Sequence, residues 1–211
     1  MTPRTEPPPA GPDAGAAPRM RSEDRRRQIL EAAAQVFSRM GARGCALRDV
    51  AEACGITEAL VHKHFGSRRD LLAATVAYAA ETVYGEIESA AASGVIERLC
   101  GQVFEASDNS LQACTDVLLQ AGAQAFEEPT IAEALARRVE YHHARTVSLV
   151  TQAQTEGALT GEVDPDALAW LMDAHSAMSN VMTRLDVGFP GGRALAEATL
   201  APFRPAGGVV D

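Results

Sequence analysis

Residues 46–65 read ALRDVAEACGITEALVHKHF. Leu47 to Cys54 reads as a short helix, and Gly55 directly after it is a stop signal. Thr57 is placed to cap a second short helix from Glu58 to His64. Between them, Cys54-Gly55-Ile56 makes a tight turn. Gly55 supplies the positive φ that such a turn needs. Ala51 falls where the two helix axes cross, and its small side chain lets the backbones approach. Ile56 then plugs the apolar centre, while Val61 and Phe65, four apart, are read as buried. This is a helix-turn-helix layout, in which the second helix stands proud enough to enter a major groove about 12 Å wide.

On the N-terminal side, a helix is expected from Ser22, as its N-cap, to Met40. Ile29, Ala33, Val36 and Phe37 share one face at steps of four and three, and Gly41 and Gly44 break the pattern. On the C-terminal side, Gly66-Ser67 ends the second short helix and caps a long one from Arg68 to about Ala92. Further helices are expected over Asn109–Phe126 and from Pro129 toward Gly157, the latter broken once at most. Asp164-Pro165, a capping Asp before a Pro at the first helical position, starts another that runs to about Val187. A last short one covers Arg193–Phe203. Residues 93–106 are helical in pattern but interrupted at Gly94 and Gly101. No alternation marks strands, and no repeat is visible. The expected fold is all-α with about nine helices. A three-helix helix-turn-helix domain (21–67) precedes a helical body (68–203), flanked by a disordered tail (1–20) and a frayed end (204–211).

Composition narrows the function. The 211 residues are 46% hydrophobic and 22% charged, which suits globular domains with real cores. No run of about 20 apolar residues marks a membrane span. The first residues lack an export pattern, so a cytoplasmic location is expected. Four cysteines lie far apart without a CxxC pair, which disfavours zinc and disulfides. The net charge is −9 but is unevenly spread. Residues 1–69 hold 12 basic and 8 acidic side chains; residues 70–211 hold 7 and 20. Contact with a polyanion is therefore expected only near the N-terminus. There is no GxSxG elbow, phosphate-cradling glycine loop or HExxH, so no enzyme activity, cofactor or metal is expected. His142 and His143, adjacent on a helix, point about 100° apart and cannot chelate one metal from one face.

The stretch as a whole resembles the TetR-type transcriptional regulators. The resemblance rests on Ile29, Ala33, Phe37 and Gly41 in the leading helix and Asp49-Val50-Ala51 in the second. It continues through Gly55-Ile56-Thr57 at the turn and His64-Phe65-x-Ser67-Arg68 before Leu71 and Leu72. These features are confined to residues 25–72. The resemblance implies a regulator, most simply a repressor, that binds a palindromic operator as a homodimer and is released by a small molecule. The implied DNA contacts are Arg48, Thr57, Glu58, Ala59, His62, Lys63, Ser67 and Arg68, with His64 either facing DNA or packed inside. The chain departs from the pattern at Ala46, where a capping Ser or Thr is usual. Other departures are Glu58, where Lys is frequent; Val61, where Leu is usual; and His62, where Tyr is common. Arg25, Arg26 and Arg27 are a charge run that either touches flanking phosphates or is simply solvated.

For the body, the resemblance implies a ligand pocket whose lining the sequence does not reveal. Phe104, Cys114, Phe126, Tyr141, His142, Trp170, His175 and Met178 are the candidates, with ordinary core as the competing role for each. The acidic excess favours neutral or cationic ligands over anionic ones. The helix from Pro165 carries Leu168, Leu171, Met172, Met182 and Leu185 on an apolar stripe, the candidate dimer interface. The alternative to a regulator is a helical small-molecule- or protein-binding module of the same fold without sequence-specific DNA binding.

Overall fold

A computed structural model describes residues 21–41, 43–89, 94–103 and 108–205. The expectations for residues 1–20 and 206–211 and for Phe104 lie outside the described residues. Among the described residues the chain forms nine α-helices, a final 3₁₀ turn and no strand, so the all-α expectation holds. The helices are α1 (Ser22–Met40), α2 (Leu47–Cys54), α3 (Glu58–Phe65), α4 (Arg68–Ser89), α5 (Val95–Gly101), α6 (Asn109–Gln124), α7 (Pro129–Thr155), α8 (Pro165–Leu185) and α9 (Gly192–Leu200). No described helix is long and apolar enough to cross a membrane.

Local chemistry explains most boundaries. The Asp164 carboxylate accepts the Ala167 amide, with Pro165 at the first helical position of α8. Asp108 caps α6 by accepting the Ser110 and Leu111 amides. α1 is capped one residue earlier than expected: Arg21 is its N-cap and Ser22 is already helical. α7 runs unbroken for 27 residues. Its Ile131, Ala134, His142, Thr146, Leu149, Val150 and Ala153 keep one face buried throughout. Such continuous packing stabilises a helix that propensity alone would leave marginal.

Two apolar clusters hold the molecule together. The first unites Ile29, Val36 and Phe37 of α1 with Val50, Val61, Phe65 and Leu71. It continues through Val76 and Val83 of α4 into Cys114, Val117 and Ile131. The first three helices thus share a core with α4, α6 and the start of α7. The second cluster joins Leu99 of α5, Val150 of α7, Leu168 and Met172 of α8 and Leu200 of α9. Between them runs a polar stitch. The Asp116 carboxylate on α6 accepts Ser38 Oγ of α1 at 2.6 Å and Arg184 of α8 at 2.7 Å. Gln112 donates to it at 3.1 Å.

Candidate nucleic-acid interface and ligand cavity

The turn between α2 and α3 forms as its residues require. Gly55 sits at φ 65° and ψ 35°, in the left-handed region. The amides of Gly55 and Ile56 donate to the carbonyls of Glu52 and Ala51 at 3.0 Å. Thr57 Oγ1 accepts the Leu60 amide at 3.3 Å and starts α3. Ala46 has no side-chain acceptor, yet its own amide is satisfied: Asp49, three residues on, accepts it at 2.6 Å. Half of a capping box therefore survives the loss of the usual Ser or Thr.

α3 buries Val61 and Phe65 and exposes Thr57, Glu58, Ala59, His62 and Lys63. Glu58 with His62 and Ala59 with Lys63 are i, i+4 pairs; the two adjoining rows make one exposed surface spanning an arc of about 140° of the helix. His64 is half-buried, its ring 6.4 Å from Phe65. Arg48 is exposed, with Asp49 3.6 Å away. Two further candidates already have internal partners. Ser67 Oγ donates to the Asp70 carboxylate at 2.6 Å and accepts the Asp70 amide. Arg68 Nε donates to the Cys45 carbonyl at 2.6 Å, tying the start of α4 to the loop before α2. In the arginine run, Arg26 stays exposed but reaches over to α3. It donates to the His64 carbonyl at 3.1 Å, and its guanidinium lies 4.3 Å above the Phe65 ring. Arg27 pairs with Asp24, and Arg25 donates to Gln28.

A cavity of about 450 Å³ opens between α4, α6, α7 and α8. Leu118, Leu119, Leu135, Val139, Ala174 and Ala177 supply apolar walls, and Tyr84, Thr115, His142, Asp173, Ser176 and Asn180 are the polar groups. Trp170 completes one side. Asp173 is the hub of the polar part. Its carboxylate accepts Thr146 Oγ1 at 3.0 Å and lies 2.8 Å from His143 Nδ1 and 3.5 Å from His142 Nε2. The other nitrogen of His143 is 3.0 Å from Asp166. With a carboxylate at each nitrogen, His143 donates twice only as the imidazolium. Burial pushes its pKa down, but the hydrogen bonds to Asp166 and Asp173 outweigh it and the net shift is upward. His142 goes the other way: burial lowers its pKa despite the attraction of Asp173. Burial also raises the Tyr84 hydroxyl to about 12, with Asp173 adding to it. Tyr84 stacks on His142 at 4.3 Å, and His143 on Trp170 at 3.8 Å.

Of the eight residues expected at a pocket, His142 and Trp170 line this cavity. Cys114 is packed in the first core, where burial raises its thiol to about 11. Phe126 is 92% exposed after the end of α6. Tyr141 and Met178 also face outward, and His175 pairs with Thr199 of α9 at 2.9 Å. The stripe on α8 divides in the same way. Leu168 and Met172 are buried within the chain, so they have no surface to offer a partner. Leu171 and Leu185 are exposed and Met182 is half-buried. The sequence reading missed Asp173 and its pairing with His143 and Thr146. The available signal was Asp166 and Asp173, seven residues and two turns apart on a helix that is otherwise largely apolar there.

These features define a class: a helix-turn-helix head carried on an all-helical body with an internal cavity. Residues 29–75 match the model of bacterial regulatory proteins of the tetR family. The resemblance to the TetR type read from the sequence stands over this stretch. It is 30% identical over 112 residues to the HTH-type transcriptional repressor KstR2 of Rhodococcus jostii (strain RHA1). That similarity covers 51% of this chain and 52% of the relative, about half of each. Its fold is similar to that of a TetR-family transcriptional regulator from Cytophaga hutchinsonii. The TM-score is 0.75 at 18% identity, over 89% of this chain and 98% of that one. A protein of Saccharomonospora viridis, described as a transcriptional regulator and solved in complex with choline, is similar at TM-score 0.72. Identity there is 20%, over 84% of this chain and 94% of that one.

Proposed function

We propose that this protein is a DNA-binding transcriptional regulator that acts as a homodimeric repressor and leaves its operator when a small molecule enters the α4–α8 cavity. The observation that carries the reading is α3. It rests on buried Val61 and Phe65 and presents Glu58, Ala59, His62 and Lys63 as one exposed surface. A head spanning 21–67 would place that surface in a major groove, with Arg48 and Thr57 beside it. Lys63 supplies a phosphate or base contact, and His62 donates to phosphate, more strongly when protonated. The exposed Leu171 and Leu185 of α8 are the surface left for a second copy. Two half-sites about 34 Å apart would match such a dimer. A ligand that binds the DNA-free state better lowers operator affinity, and DNA weakens the ligand by the same factor. The choline complex of the Saccharomonospora viridis protein supports a small-molecule role for this kind of body.

The test is selection of random duplex DNA by the purified protein at near-physiological salt. The expected result is an enriched inverted repeat. Lys63→Ala should weaken binding across sequences and lower the salt slope by about one. One observation favours the alternative of a binding module without sequence-specific DNA contact. Ser67 and Arg68 are held by Asp70 and Cys45, which leaves fewer groups to grip phosphates. Salt-labile binding with no enriched motif would establish that reading instead.

A further inference from the structure

The cavity's lining contains no Arg or Lys. Its one formally charged lining group in the ordinary pH range is Asp173, whose side chain is only 11% exposed. Charge counting around it leaves a surplus. Asp166 and Asp173 contribute two negative charges, and the doubly donating His143 between them contributes one positive charge. The basic side chains of α7 four before and three after His142, Arg138 and Arg145, are paired with Glu81 and Glu88. Asp166 is 63% exposed and faces water, so the part of the surplus that matters is carried by Asp173, which borders a largely apolar space where its field is weakly screened. Tyr84 and Trp170 also line the cavity, each with one ring face stacked on a histidine; the free ring surface adds a π contribution that attracts cations. An anion entering here would meet Asp173 without a guanidinium or ammonium to offset it.

We propose that the cavity takes a compact, largely apolar organic cation, an amine on a hydrocarbon frame, with its ammonium at Asp173 beside Tyr84 and Trp170. The inference rests on reading the cavity as the effector site and specifies its ligand. The ammonium adds a third kind of donor to the carboxylate and brings the cluster to neutrality. The hydrocarbon frame lies along Leu118, Leu119, Leu135 and Val139. A cavity of about 450 Å³ suits a single small frame rather than an extended chain.

Trp170 is the one tryptophan of the chain, so its emission reports on this wall alone. The experiment titrates the full-length protein with three probes of one skeleton: 4-phenylbutylamine, 4-phenylbutan-1-ol and 4-phenylbutyrate. The expected result is that the amine shifts Trp170 emission at about tenfold lower concentration than the alcohol, with the carboxylate weakest. In Asp173→Asn the advantage of amine over alcohol should fall below about twofold. An amine no better than the alcohol, or a carboxylate that binds best, overturns the inference and leaves the cavity reading standing. A full amine advantage in Asp173→Asn overturns the role of Asp173. No response to any probe removes the cavity reading and the inference with it. The comparison in the unmodified protein decides the charge preference even if Asp173→Asn fails to fold.

Discussion

The region around α1–α3 and the seam between α7 and α8 are built on opposite plans. In the first, Ile29, Phe37, Val50, Val61 and Phe65 meet side chain to side chain, and polar groups act at the edges as caps and clasps. In the second, Asp173, His142, His143 and Thr146 sit inside, beside an open cavity. Apolar interdigitation has one good solution, because any shift opens a void. A hydrogen-bonded charge cluster beside empty space can exchange partners at lower cost. The region around α1–α3 is therefore expected to be the rigid part and the seam the adaptable one, as the proposed passage of a signal from ligand to DNA would require.

The largest expected effect tests the rigid side. Phe37→Ala, at a position 1% exposed, should cost about 3–5 kcal/mol, as cavity-forming Phe truncations do. Because the first core runs from α1 into α6 and α7, denaturant should unfold head and body together. Separate transitions by Trp170 fluorescence and far-UV dichroism would break that picture. Next comes Arg184→Ala, which removes one of the donors around buried Asp116. About 1 kcal/mol should be lost, the partial exposure of Arg184 moderating the effect. Mild denaturant midpoints give the measurement.

A third prediction is a pH profile. His143 has a pKa raised above its ordinary 6.5 by Asp166 and Asp173 against the effect of burial. Its contribution is complete below 6.5 and is lost as pH rises through the folded value. His142 has a lowered pKa, from burial first, with Arg145 and His143 adding to it and Asp173 and Glu88 opposing. Its neutral form is favoured on folding, so stability is present above 6.5 and falls as pH drops through that value. The two slopes give a stability maximum near 6.5, read from melting temperature against pH. His143→Gln should flatten the alkaline side and, because His143 helps lower the His142 pKa, slightly soften the acid side. The smallest expected effect is a gain. Ala46→Ser should stabilise α2 by about 0.5–1 kcal/mol, because the backbone at 46 already has the extended conformation of an N-cap. A denaturant midpoint unchanged from Ala46 would show that the Asp49 side chain alone suffices.

Legibility in the sequence followed the range of the forces. Helices announced themselves through spacing and caps within a few residues, and Gly55, Thr57, Asp164 and Pro165 worked as read. The α3 surface was legible because one helix makes it. The cavity was not, because Tyr84, Thr115, His142 and Asp173 come from four helices and meet only through tertiary packing. Residue type misled there. The candidates Phe126 and Tyr141 face outward, while Asp173 passed unremarked beside Met172. The division of the α8 stripe had the same cause. A helix touching two neighbours splits its apolar residues between them, and spacing alone does not say which neighbour each one meets.

Arg26 reaches across to α3, holding the His64 carbonyl and covering Phe65. An isolated helix of eight residues would be mostly unfolded in water; this one is fixed before any duplex arrives. The consequence is thermodynamic. Association should carry the heat-capacity change of the contact surface alone, without the added increment that folding on binding produces. Calorimetry across temperature with Arg26→Ala should then show a more negative heat-capacity change. Part of the entropy of ordering the last turn of α3, settled during folding in the native chain, would be deferred to the moment of contact, while Val61 and Phe65 still anchor the helix.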